Sequence, residues 1–259
     1  MYGFCNISLI PVRATASHRS ELVTQLLFGE AYQIIDYQHC AGWTEIETQF
    51  DAYRGFIDIN QVVLIHLSVY ERYKEMTYYV PASQMLIFDK RRGFSFVIPA
   101  GSTVFTDEDN MMRIGAELFE IPEMIPNNDS FFKQLKTIAL SFLNTPYLWG
   151  GRSIYGIDCS GFNQVVFKIL GINLPRDASQ QTIAGEEIKT VSQVQCGDLA
   201  FFQNSDGRIT HTGLILDKNT IIHASGKVRV DRFDEQGIFS LERNEYTHQL
   251  HSIKRVCHF

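Results

Sequence analysis

The chain reads as an α+β domain preceded by two small all-β barrels, and three observations point there. Short β-prone runs broken by turn residues fill the first half. Two stretches with apolar residues at helical spacing open the second half. Apolar, β-branched runs follow those helices. A length of 259 residues suits two or three small domains.

In the first half, Thr24 to Phe28, Ala31 to Tyr37, Trp43 to Glu47 and Phe56 to Ile59 are strand candidates. Gly29, His39 to Gly42 and Asp51 to Gly55 separate them, a turn rhythm that fits a small barrel over residues 1–65. Polar residues 66–77 are expected to form a short helical connector. A second β-rich module is expected over 78–123, with strands at Met85 to Phe88, Phe94 to Ile98 and Ser102 to Phe105. Pro122 and Pro126-Asn127-Asn128-Asp129 mark a linker, so the last domain is expected at 124–259. Asp129-Ser130 offers a helix N-cap, Phe131, Leu135, Ile138, Ala139 and Phe142 recur at helical spacing, and Asn144-Thr145-Pro146 ends the helix. A second helix is expected to start near Cys159, with Phe162, Val165, Val166, Ile169 and Leu170 as its apolar stripe and Gly171 as its stop. Strands are expected at Asp198 to Phe202, Ile209 to Asp217 and Thr220 to Ala224.

Composition narrows the function classes. A formal charge of −6 and no basic cluster beyond Lys90-Arg91-Arg92 argue against nucleic acid as the partner. No apolar run is long enough to span a membrane. Met1-Tyr2-Gly3-Phe4-Cys5-Asn6 lacks the basic start and apolar core of a signal peptide. The five cysteines are odd in number, scattered and without CxxC spacing, which favours reduced thiols. A cytoplasmic monomer is expected, with the periplasm as the alternative compartment if a leader precedes the chain.

The chemistry concentrates at three places. A glycine-rich approach, Tyr147-Leu148-Trp149-Gly150-Gly151 and then Gly156-Ile157-Asp158, leads into a helix whose first residue is Cys159. The partial positive charge and unpaired N–H groups of a helix start favour thiolate and can hold an oxyanion. Alkylation of Cys159 below pH 7 is therefore expected, although burial as an inert thiol is the commoner fate of a free cysteine. His211, in Ile209-Thr210-His211-Thr212-Gly213, is a candidate base. His223, after a turn near Asp217 to Thr220, is a candidate to orient it. Side chains alternate across a strand, so the two rings share a face only if the turn is odd in length, with His223 then opposite Gly213.

Taken in order, Asp158-Cys159-Ser160-Gly161-Phe162, Leu174-Pro175-Arg176, Cys196-Gly197-Asp198-Leu199 and His211-Thr212-Gly213-Leu214 resemble the motif series of the NlpC/P60 cysteine peptidases. The resemblance covers about residues 124–259 and implies a papain-like α+β fold. Arg19 to Gln25, Phe28-Gly29-Glu30, Gly42-Trp43 and Tyr53-Arg54-Gly55-Phe56 resemble bacterial SH3-like modules. That pairing is similar to the γ-D-glutamyl-L-diamino acid endopeptidases of the family. It implies Cys159 as nucleophile, His211 as base, His223 as its partner and Tyr147 near the oxyanion. Glu21, Tyr53 and Asp158 are implied as binders of a substrate ammonium, Glu30 being the substitute for Glu21, and Ser160 as a further substrate contact. Where many relatives carry serine after Arg176-Asp177, this chain has Ala178 and then Ser179.

The expected reaction is acyl transfer by a thiolate–imidazolium pair, with no metal or organic cofactor. The expected substrate is a murein peptide such as L-Ala-γ-D-Glu-diaminopimelate with a free N-terminus. The alternatives are an amidase or lytic hydrolase acting on intact peptidoglycan, and a catalytically inert wall-binding protein.

Overall fold

The computed structural model describes residues 1–40, 42–73, 78–81, 84–124 and 127–257. Part of the expected connector (74–77) and of the expected linker (125–126) lies outside the described residues. By packing the chain divides into two units: Met1–Asn127 with Trp149–Ile154, and Asn128–Leu148 with Tyr155–Phe259.

The first unit begins with a seven-stranded antiparallel sheet of β1 (Tyr2–Phe4), β2 (Leu9–Arg13), β3 (Leu22–Leu27), β4 (Ala31–Cys40), β5 (Trp43–Thr48), β6 (Arg54–Asp58) and β7 (Leu64–Ile65). The strand order is β3-β2-β6-β5-β4-β1-β7. Alternation sends Ile10 and Val12 of β2 inward, where they meet Leu26, Tyr32, Ile46 and Ile57. Helix α1 (Leu67–Tyr73) follows, then β8 (Tyr78–Tyr79), β9 (Gln84–Asp89), β10 (Phe94–Pro99), β11 (Thr103–Val104), β12 (Met111–Ile114) and β13 (Glu117–Glu120). Strands β10-β9-β13-β12 make a second sheet and β11-β8 a two-stranded one. The two β segments do not have wholly separate interiors. Phe4, Phe28 and Ile65 from the first pack with Ile87, Ile98, Met112 and Phe119 from the second. Phe28 meets Phe119 edge-on at 5.1 Å.

The last part of this unit comes from far along the chain. In β14 (Arg152–Ser153) the Arg152 N–H donates to Gln25 Oε1 at 2.8 Å. The guanidinium lies bidentate on Glu30, 2.8 Å from Oε2 and 2.9 Å from Oε1, with both side chains buried. The exposed Trp149 donates from Nε1 to Glu21 Oε1 at 2.6 Å.

The second unit holds α2 (Phe131–Ser141), β15 (Gly156–Ile157), α3 (Cys159–Ile169), α4 (Ala178–Gln181) and strands β16 (Glu186–Glu187), β17 (Leu199–Gln203), β18 (Ile209–Asp217), β19 (Thr220–Ser225), β20 (Lys227–Asp234), β21 (Gly237–Ser240) and β22 (Glu245–Arg255). Ser130 sits at the N-cap of α2 but makes no side-chain cap bond. Asp129 beside it pairs instead with Lys133 at 2.8 Å. Gly171 closes α3 in the left-handed conformation, at φ +79°. Strands run β16-β22-β17-β18-β19-β20-β21, and β21 also pairs with β22. The sheet from β17 to β22 therefore closes on itself. Its interior is apolar, with Ala200, Phe202, Ile215, Ile221, Phe233, Ile238 and Ile253 in contact. Helix α3 packs on β18 and β19, with Asn163 of the helix bonded to Thr212 of β18, the residue after His211.

Candidate active site

Cys159 is the first residue of α3, and Asp158 is its N-cap, accepting from the Gly161 N–H at 2.7 Å. Cys159 is only 7% exposed. The Thr212 backbone N–H donates to its sulfur, which ties the nucleophile position to the residue after His211. Thr212 is fixed in turn: its hydroxyl donates to the Ala200 carbonyl at 3.0 Å and accepts from Asn163 of α3 at 3.0 Å.

His211 Nε2 lies 2.8 Å from His223 Nδ1, and His223 Nε2 lies 3.1 Å from Asp231 Oδ2. All three groups are buried. The register explains the first link. β18 and β19 pair Leu214 with Ile222 and Ile215 with Ile221, and a bulge precedes the pairing of Asp217 with Thr220. The two-residue turn plus the bulged residue Leu216 make an odd count, which sets His223 against Gly213. A side chain at Gly213 would begin 2.9 Å from His223 Cβ, so glycine makes room for the ring. The second link repeats the step on the next strand pair. Ile221 is opposite Asp231 and His223 is opposite Arg229, so Asp231 is diagonal to His223 as His223 is to His211. Asp231 Oδ1 accepts from the Leu241 N–H at 2.9 Å and from Arg229 Nη2 at 3.1 Å.

This chain of bonds fixes the proton positions. Asp231 is held down to about 2; its bonds from His223, Arg229 and the Leu241 N–H outweigh burial, the largest single influence, which pushes it up. A carboxylate only accepts, so His223 carries its proton on Nε2 and accepts at Nδ1. His211 then donates from Nε2, and its lone pair is on Nδ1, the nitrogen left to take a proton from a thiol. Burial, then the charges of His223 and His248, holds His211 well below the ordinary histidine value. Burial, then Asp158, pushes the Cys159 thiol up to about 12, against the pull of Arg176 and of the N–H bonds from Thr212 and Ser160. Desolvation thus opposes the helix terminus, and both shifts run toward a neutral thiol and a neutral imidazole, away from the expected thiolate.

Asp158 does more than cap. Arg176, itself buried, donates from Nη1 to Asp158 Oδ1 at 3.0 Å and from Nη2 to Oδ2, and also reaches Ser160 Oγ at 3.0 Å. Ser160 in turn donates to Asp158 Oδ1 at 3.3 Å. Tyr147 is half-buried within electrostatic reach of Cys159 and Asp158; burial, then those two groups, raises its hydroxyl, which stays a donor. Glu21 and Tyr53 belong to the first unit; Glu21 is exposed and Tyr53 half-buried. Glu30, the substitute for Glu21, is occupied by Arg152.

Asp231, Arg229 and His248 were not singled out from sequence. His248 stacks on His211 with ring centroids 4.1 Å apart. The alternation in Lys227-Val228-Arg229-Val230-Asp231 is a strand signal, and one more two-residue diagonal step would have reached Asp231.

Residues 144–247 match the NlpC/P60 family and residues 12–62 the bacterial dipeptidyl-peptidase SH3 domain. The chain is 42% identical over 85 residues to a γ-D-glutamyl-L-lysine dipeptidyl-peptidase of Bacillus subtilis, covering 32% of this chain and 28% of that one. It is 36% identical over 122 residues to dipeptidyl-peptidase 6 of Lysinibacillus sphaericus, covering 45% and 42%. The matched stretches span less than half the length of either relative. An NlpC/P60 family protein from Bacillus cereus superposes over 99% of both chains with a TM-score of 0.81 at 18% identity, a likeness of fold. The chain thus carries an NlpC/P60 domain, of a cysteine peptidase and hydrolase family, behind a bacterial dipeptidyl-peptidase SH3 domain.

Proposed function

We propose that the protein is a cysteine endopeptidase that hydrolyses the γ-D-Glu–diamino acid bond of peptidoglycan peptides bearing a free N-terminal L-Ala. The observation that carries this reading is the His211–His223–Asp231 chain of hydrogen bonds, on a strand whose next residue, Thr212, meets Cys159 at the start of a helix. The relatives' names supply the bond type.

In this mechanism His211 Nδ1 takes the Cys159 proton as the sulfur attacks the γ-carbonyl carbon. Asp158 accepts from the N–H groups of Gly161 and Phe162 and the Ser160 N–H faces the sulfur, so the Cys159 N–H and the Tyr147 hydroxyl are assigned to the oxyanion. His211 returns the proton to the departing amine, and water hydrolyses the thioester. Arg176 keeps Asp158 and Ser160 in place at the substrate end. Glu21 and Tyr53 are assigned to the substrate amine on the resemblance in sequence.

Mass spectrometry of products from free L-Ala-γ-D-Glu-diaminopimelate, its N-acetyl form and intact peptidoglycan tests the proposal. Cleavage of the free tripeptide alone is expected, and Cys159→Ala abolishes it while the fold persists. Preferential cleavage of intact peptidoglycan would replace this reading with a lytic one.

A further inference from the structure

We propose that His211, His223 and His248 form a three-nitrogen site for a divalent first-row cation, Zn(II) foremost, and that its occupation switches off the base at His211. The inhibitory half rests on the cysteine-peptidase reading above; the binding half stands by itself.

The three histidines each bring a ring nitrogen to one place, all within 4.8 Å of one another. Tetrahedral zinc with Zn–N bonds of 2.0–2.1 Å sets its nitrogens roughly 3.3 Å apart. The His211–His223 pair, at 2.8 Å, opens by about half an ångström to reach that spacing. The half-buried His248 closes the longer edges by rotating its side chain. Its ring stacks on His211 and lies edge-on to His223, with centroids 5.6 Å apart, so that rotation must open the stack to bring the in-plane lone pairs to one point.

The outer shell suits a metal. His223 gives its Nε2 proton to Asp231, a carboxylate–histidine pairing that orients Nδ1 toward the cluster. His248 Nδ1 lies 2.8 Å from the Thr247 hydroxyl, which donates to the Ile238 carbonyl at 3.4 Å. Metal binding selects the tautomer in which Thr247 accepts from His248 Nδ1–H, and Nε2 of that ring then keeps its lone pair. A cavity of about 430 Å³, lined by His223, Asp231, Thr247 and His248 among others, gives a path from solvent.

Inhibition follows from the tautomers. In the working state His211 donates from Nε2 and keeps its lone pair on Nδ1. To ligate through Nε2, the ring must move that proton to Nδ1, with none gained or lost overall. Nδ1 is the atom that has to be vacant to accept from Cys159, so the metal-bound ring cannot act as base. The signal was invisible in sequence because the residues are 12 and 25 positions apart on three strands.

The test uses the full chain carrying Cys159→Ala, titrated with ZnCl₂ by calorimetry and with CoCl₂ by visible absorption. One equivalent is expected to bind, with a nitrogen–oxygen cobalt spectrum free of thiolate charge transfer. Adding His248→Gln, or Thr247→Val as the milder variant, weakens binding by about tenfold or more. In the chain with Cys159 intact, zinc inhibits reversibly, and His248→Gln raises the half-inhibitory zinc concentration about tenfold relative to its own zinc-free rate. Loss of binding in Cys159→Ala alone would assign the metal to a cysteine–histidine site and overturn the proposal, as would binding indifferent to His248→Gln. An absence of peptidase activity would sink the functional reading while the calorimetry still decides the site.

Discussion

At the residue scale, the buried carboxylate Asp231 decides which nitrogen of a histidine two steps away is basic. Its Oδ1 receives two donors, the Leu241 N–H and Arg229 Nη2. In Asp231→Asn those donors hold the amide oxygen at that position and turn the NH₂ toward His223. His223 must then accept at Nε2 and donate from Nδ1, which forces the His211 proton onto Nδ1. Asp231→Asn is expected to lower kcat by about two orders of magnitude or more, and further than Asp231→Ala, which imposes no wrong tautomer. Equal losses in steady-state assays would show that the carboxylate acts through charge alone. Cys159 gives a pH prediction. Its folded pKa is raised, so the thiolate fraction stays small at neutral pH and grows as pH rises toward about 12. Iodoacetamide labelling of the Cys159 peptide, followed by mass spectrometry, should accelerate continuously from pH 7 to 10. A plateau reached below pH 7 would restore the thiolate expected from the helix start.

At the scale of elements, three strands carry the relay by two equal diagonal steps, from His211 past Gly213 to His223 and from Ile221 to Asp231. The odd count of the turn plus Leu216 keeps both imidazoles on one face. Gly213→Ala would put a methyl 2.9 Å from His223 Cβ and from Ile221 Cδ1. It is expected to destabilise by about 1–3 kcal/mol and to lower activity about tenfold or more, measured by urea unfolding and peptide hydrolysis. Strands with strong apolar alternation, and helices with clear stripes, were legible in the sequence. So were Cys159, His211 and His223, because motif order and a parity argument bear on them. β22 was not legible. It is half-solvated along most of its length, with Ile253 alone fully buried, so its residues carry no two-residue apolar rhythm. With β22 unread, His248 had no place to be counted. β1 and β7, with three and two residues, are too short to show a pattern at all.

At the scale of the whole molecule, the first unit contains a buried cation that its own continuous sequence does not supply. Arg152 is 2% and Glu30 4% exposed, and each makes bidentate contact with the other. Glu30→Gln leaves the guanidinium buried without its carboxylate and is expected to cost about 3–5 kcal/mol in urea unfolding of the first unit. Replacing both, as Glu30→Leu with Arg152→Met, should recover most of that loss. Glu21→Gln, at an exposed hydrogen bond, should leave the midpoint nearly unchanged and alter only the substrate dependence of hydrolysis.

The outline of the first unit as a packed body therefore differs from its outline along the gene. Residues 1–127 are a natural cassette on paper, yet the body they form is completed by Trp149–Ile154, read out after α2. A recombination event that moves residues 1–127 alone transplants Glu30 without its arginine, and one that moves the following segment alone carries off Arg152 without its acid. Inheritance of Glu30 and Arg152 should be joint, so that this pair behaves as a compatibility lock between lineages that exchange these domains.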